Sequence, residues 1–160
     1  MRRIEGTAGV KPIECTHPAK NKWRIRWNIQ PNNDGSATYM EEEFNHRPTD
    51  EEIRQTIIGW YNAQTEENIL SGFEWNGMKV WLSTENQFNY KAAYDLAIQT
   101  NGATLPVTFK FGTDDTPCYH TFNSVGELAD FYTKAMTHIQ SSLERGWNSK
   151  DAFRLDTYTL

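Results

Sequence analysis

Two short segments carry the residue types best suited to chemistry, Cys15-Thr16-His17 and Cys118-Tyr119-His120. On an extended strand, positions i and i+2 share a face, so each segment could present a thiolate and an imidazole together. Four such ligands suit tetrahedral zinc, but structural zinc sites usually leave two or more residues between paired ligands. An i,i+2 bite on an extended chain is wide, and the first pair lies in a stretch with little periodicity. The expectation is therefore no metal and no cofactor, with Cys118 buried beside a surface His120.

Other candidates are weaker. Asp114-Asp115 sits in Gly112-Thr-Asp-Asp-Thr-Pro117, where Asp serves turn chemistry, and no partner completes a glycosidase-like carboxylate pair. The run Glu41-Glu42-Glu43 reads as a solvated edge, not a metal site. His46 and His138 are isolated, and His138 falls on a helical stretch as a surface residue. There is no Gly-x-Ser-x-Gly elbow, phosphate-binding loop or dinucleotide fingerprint, and neither cysteine has a recognisable catalytic setting. No catalytic, binding or metal residue is assigned, and the protein is expected not to be an enzyme.

Composition narrows the partners. The 160-residue chain carries a net charge of −5, which disfavours binding to a phosphate backbone. There is no long basic block, and Arg2, Arg3, Lys11, Lys20, Lys22, Arg24 and Arg26 leave only a local basic patch open as an alternative. Aromatics make up 13% of the chain against 38% hydrophobic residues overall, so large rings must supply much of the core. Met1-Arg-Arg-Ile-Glu-Gly6 has no apolar run behind its arginines and is not read as a secretory signal. No stretch approaches the roughly 20 apolar residues of a membrane span. Two distant cysteines do not make a disulfide framework.

The elements that must position these residues follow a repeated rhythm. Residues 1–21 read as an irregular arm, with one short strand near 11–15. Trp23, Ile25, Trp27 and Ile29 then alternate with polar residues, and 37–44 returns across Pro31-Asn-Asn-Asp-Gly35. With Asn33-Asp34 at the loop centre, Arg24 faces Glu43, Arg26 faces Glu41, Trp27 faces Met40 and Trp23 faces Phe44. Thr49 with Glu52 forms a capping box ahead of the stripe Ile53, Ile57, Trp60, Tyr61, in a helix expected to fade between 63 and 68. Asn76-Gly77 marks a two-residue hairpin that pairs Trp75 with Met78 and Phe73 with Val80. Thr84 with Gln87 is expected to cap a helix burying Phe88, Ala92, Ala93 and Leu96, stopped by Asn101-Gly102. A strand with Leu105, Val107, Phe109 and Phe111 on one face turns back through 118–123. Ser124 with Glu127 then opens the longest helix, expected to end near Gly146, before a tail over 147–160 that is either loose or a short strand through Phe153 and Leu155.

The fold class expected is α+β: antiparallel hairpins with helices packed on the sheet, in three successive ββα units. The divisions are an arm over 1–21, a ββα unit over 22–68, a ββα-ββα region over 69–146 that either joins 22–68 in one domain or stands apart, and the tail.

The half from about Phe73 to Lys150 resembles an uncharacterised family of small bacterial and bacteriophage proteins encoded near tail or tail-fibre genes. The resemblance is carried by Phe73-Glu-Trp-Asn-Gly-Met-Lys-Val-Trp-Leu-Ser83, by Glu85-Asn-Gln-Phe-Asn89, by residues 105–112 and by Tyr119-His-Thr-Phe-Asn-Ser-Val-Gly-Glu-Leu128. It implies a structural or assembly role in a phage or prophage tail, with no catalytic residues to transfer. Protein partners follow, other tail components among them; unpaired strand edges add a homo-oligomer to the expected partners, and charge and hydropathy leave membrane and nucleic acid out. The location expected is the cytoplasm of a bacterial host or the virion. A carbohydrate- or peptide-binding module using exposed Trp rings is the alternative.

Overall fold

The computed structural model describes residues 1–159 and is α+β, as expected, with antiparallel hairpins and helices packed together. It divides into two compact units. Unit 1 comprises residues 1–60 with 152–159, and unit 2 comprises Tyr61–Asp151. These boundaries cut the chain differently from the expected 22–68 and 69–146.

Unit 1 is built on a four-stranded antiparallel sheet of β1 (Arg2–Thr7), β2 (Ile13–His17), β3 (Lys22–Pro31) and β4 (Ser36–Phe44), ordered β1-β4-β3-β2. The first 21 residues are thus not an irregular arm. Arg2-Arg-Ile-Glu-Gly-Thr7 lacks clean alternation, so its extended form comes from pairing along β4 and not from its own pattern. The expected β3–β4 register holds through Trp23↔Phe44, Arg24↔Glu43, Arg26↔Glu41 and Trp27↔Met40. It then slips before Gln30↔Thr38, where Asn28 takes a left-handed φ of 50° and bulges the strand.

The acidic run does not lie on an edge either, because β4 is an inner strand, and only Glu43 of the three is exposed. Glu41 is only 3% exposed. Its carboxylate meets Arg26 Nε at 2.9 Å, Arg2 at 3.2 Å and Arg24 at 3.7 Å. Arg26, 6% exposed, also reaches Glu14 at 2.9 Å and the Lys11 carbonyl at 3.2 Å. Burial alone would lower the Arg26 pKa. Hydrogen bonds to Glu14 and Glu41 outweigh it, and the guanidinium is held more basic than usual.

The other face of β3 is apolar. Ile25 and Trp27 are buried with Ile13 and Met40, and Trp27 meets Trp60 edge-on at 6.1 Å. Trp60 belongs to α1 (Asp50–Ser71), which enters through the expected box: Thr49 Oγ1 accepts from Glu52 N–H, and Glu52 Oε2 accepts from Thr49 N–H. The Thr49 amide and hydroxyl, with His46, hold the Glu52 carboxyl below its ordinary range. Ile53 and Ile57 are its buried residues. The helix does not fade at 63–68 but runs to Ser71. The expected tail is ordered too. Its end forms a short 3-10 turn at Leu155–Tyr158, not a strand, and Tyr158 donates its hydroxyl to the Arg26 carbonyl at 2.8 Å.

Unit 2 carries the rest of α1, the hairpin β5 (Phe73–Trp75) and β6 (Met78–Val80), α2 (Thr84–Gln99), the hairpin β7 (Val107–Gly112) and β8 (Pro117–Phe122), and α3 (Val125–Asp151). Asn76 and Gly77 take φ of 50° and 75°, the left-handed pair that a type I′ turn requires, and the register matches expectation. The core is aromatic, with Phe73, Trp75, Tyr90, Phe111, Phe122 and Phe131 packed together. Helix α3 continues past Gly146, which is no stop. A Cβ there would lie 2.2 Å from Thr65 Oγ1, so glycine permits α1 and α3 to approach closely within this unit.

Candidate docking surface

The two Cys-x-His segments fall in different units. Cys15 and His17 lie on β2, and Cys118 and His120 on β8; both thiols are free and half-buried. His120 is half-buried, and Cys118 is half-buried too, not buried beside a surface histidine. Its ring stands edge-on to Trp75 at 4.9 Å and to Phe122 at 4.6 Å, and Nε2 lies 2.8 Å from Glu127 Oε1. The pair ties β8 to the first turn of α3, where Glu127 N–H also donates to Ser124 Oγ. His138 likewise has a partner: Nε2 is 2.7 Å from the Asn68 carbonyl, and its ring lies 5.4 Å from Phe73. Asp114 and Asp115 are exposed in the β7–β8 turn. Among the described residues, no group of three or more His, Cys, Asp or Glu side chains could hold a metal ion.

The distinctive surface of unit 2 is on α2. Its N-cap is Ser83, one residue before the expected Thr84, and Ser83 Oγ accepts from Asn86 N–H at 3.2 Å. The Gln87 side chain instead donates to the Leu82 carbonyl. The buried face is Tyr90 and Ala97, with Tyr94 stacked on Tyr132 at 4.7 Å. The stripe expected to be core points the other way: Phe88 is 71% exposed and Leu96 50%. The helix has two apolar stripes, and the larger rings at i, i+4 take the core, where each buries more area.

Beside the outer stripe runs an apolar groove of about 330 Å³, lined by Ala93, Leu96, Leu105, Val107 and Phe109 with Asn89 and Thr104. None of these lining residues is charged. Trp81, 50% exposed, stands at the same end of α2 as Phe88, because Asn86 Nδ2 donates to the Trp81 carbonyl at 2.8 Å. Covering one large apolar side chain is worth about 1.5–3 kcal/mol, so this stripe and groove hold a substantial unspent contact energy.

A second, more open cleft of about 580 Å³ lies along α3, lined by Tyr94, Tyr132, Met136 and the polar residues Thr133, Thr137 and Gln140, among others. Its chemistry is mixed, with ring edges, hydroxyls, an amide and the Glu144 carboxylate in one trough.

The sequence profile described as domain of unknown function DUF4376 matches residues 52–160. The chain belongs to this family. The DUF4376 region starts inside the first turn of α1 and takes in all of unit 2, so it reaches further than the resemblance over 73–150 implied. The four-stranded sheet of unit 1 lies outside it. No curated protein and no solved structure matches the chain. No helix of the described residues is long and apolar enough to cross a membrane.

Proposed function

We propose that this DUF4376 protein is a non-enzymatic assembly component of a phage or prophage particle, at the tail or its fibres, and that it docks another protein on α2. The observation that carries the reading is the outward stripe Phe88–Leu96 beside the uncharged groove. Contiguous apolar surface of this kind is characteristic of contact sites, and single exposed hydrophobics are not. The occupant it fits is an apolar segment of a partner, because a charged or phosphorylated ligand would find no counter-charge in the groove. The tail assignment rests on the family-like hairpin, helix entries and final helix.

The test is co-purification of the tagged chain from cells that produce the particle. A tail protein retained by the native chain and lost from a Phe88→Asp/Leu96→Asp variant supports the reading. Retention of the same proteins by both chains, or of no tail protein at all, counts against it.

The cleft along α3 favours a second reading, a carbohydrate- or peptide-binding module, since tyrosine rings and hydroxyls together suit a neutral sugar. Calorimetric titration with neutral glycans should then give heat that Tyr132→Ala removes. Flat titrations across a panel would eliminate it.

A further inference from the structure

The two edges of the unit 1 sheet differ. The β2 edge is guarded: Pro12 precedes the strand, Pro18 follows it, and its register with β3 shifts between Cys15 and His17. Prolines, bulges and charged side chains are the usual devices that stop an edge from recruiting another strand. The β1 edge has no proline and no bulge, only charges. Arg2–Thr7 pairs with β4 without a slip, contains no proline, and has no second strand partner among the described residues.

Its charges supply a criterion for what could pair there. Arg3 and Glu5 are exposed on one face, and neither belongs to an ion pair among the described residues; Arg3 only donates to Thr38 Oγ1. Consider β1 laid antiparallel against a second β1 in a continuous sheet. Directly opposed residues must share a face, so only registers that shift by whole pairs keep the faces matched. Centred on Arg3, the pairing sets Arg3 against Arg3. Centred on Glu5, it sets Glu5 against Glu5. Centred on Ile4, it places Arg3 opposite Glu5 twice, Ile4 opposite Ile4, and the long Arg2 side chain opposite Gly6. Like charges directly opposed destabilise a strand pair, and opposite charges support it. One register of the three is self-complementary.

We propose that β1 is a homodimerisation edge, pairing antiparallel with β1 of a second copy about Ile4 to make a continuous eight-stranded sheet. The interface is isologous, so each copy contributes the same Arg3 and Glu5. This goes beyond the docking face of unit 2 and stands whether or not that face has a partner.

Sedimentation of the full-length chain tests it. The native protein should sediment as a concentration-dependent dimer that weakens with added salt. Arg3→Glu alone opposes Glu to Glu, and Glu5→Arg alone opposes Arg to Arg, so each should weaken association by at least about tenfold. An equimolar mixture of the two variants restores both ion pairs and should dimerise as well as the native chain. Recovery in the mixture also shows that neither variant has simply failed to fold. A native chain that stays monomeric at every concentration, or a mixture no tighter than its separate components, overturns the proposal.

Discussion

Glu41 shows how much a single buried charge can organise. Its neighbours come from three strands: Arg26 and Arg24 on β3, Arg2 on β1, and Glu43 beside it on β4, which shares Arg2 and Arg24. Removing one member of a buried pair strands the other at a cost of about 3–5 kcal/mol, whereas removing both costs far less than the sum. Glu41→Leu should therefore lose about 3 kcal/mol in urea unfolding, and Arg26→Met/Glu41→Leu should lose less than the two single variants added. Strict additivity would show that the network does not couple. Tyr90 makes a pH-dependent claim. It is 3% exposed, and burial pushes its hydroxyl from 10 up to about 12. Because the folded pKa is raised, its contribution is full below about pH 10, where the unfolded chain keeps the proton too. It is lost as pH rises towards about 12, by roughly 2–3 kcal/mol. Tyr90→Phe should flatten the alkaline limb of the stability curve relative to the native chain. Identical limbs for the two proteins would contradict the burial argument.

At the scale of elements, what was legible in the sequence is what is local. The Asn76-Gly77 turn, the Thr49–Glu52 box and the register of Arg24 and Arg26 against Glu43 and Glu41 depend on neighbours in sequence or on one hairpin. What was not legible depends on distant chain. β1 is extended because β4 accepts it, and Glu41 is buried because β1 makes β4 an inner strand. Periodicity alone found the Phe88–Leu96 stripe yet could not tell which of two stripes faces the core; the competing pair Tyr90 and Tyr94 was the available signal. Gly146 misled in a similar way, since a glycine late in a helix looks like a stop until Thr65 is seen against it. In open space Gly146→Ala would stabilise a helix by about 1 kcal/mol. Against Thr65 it should instead destabilise by about 1–3 kcal/mol. Thr65→Ala should recover most of that loss, as thermal unfolding of the single and double variants will show. An increase in stability for Gly146→Ala alone would mean that the helices yield easily.

At the scale of the whole molecule, the family boundary and the architecture tell different parts of the story. DUF4376 spans the aromatic unit with its α2 face, while the four-stranded sheet precedes it. The chain thus carries, in one sequence, a family module with an outward apolar stripe and a sheet whose β1 edge has one register of self-complementary charge. Both features are what the proposed role, action through protein contacts, would require. The measurement that bears most directly on this is retention of tail proteins by the native chain and by Phe88→Asp/Leu96→Asp, with thermal unfolding of both recorded alongside. The account predicts equal stability, because both side chains are already exposed, and loss of a tail protein from the variant alone. A variant that unfolds at markedly lower temperature would show the stripe to be core, and one that keeps every partner of the native chain would remove α2 as the docking surface.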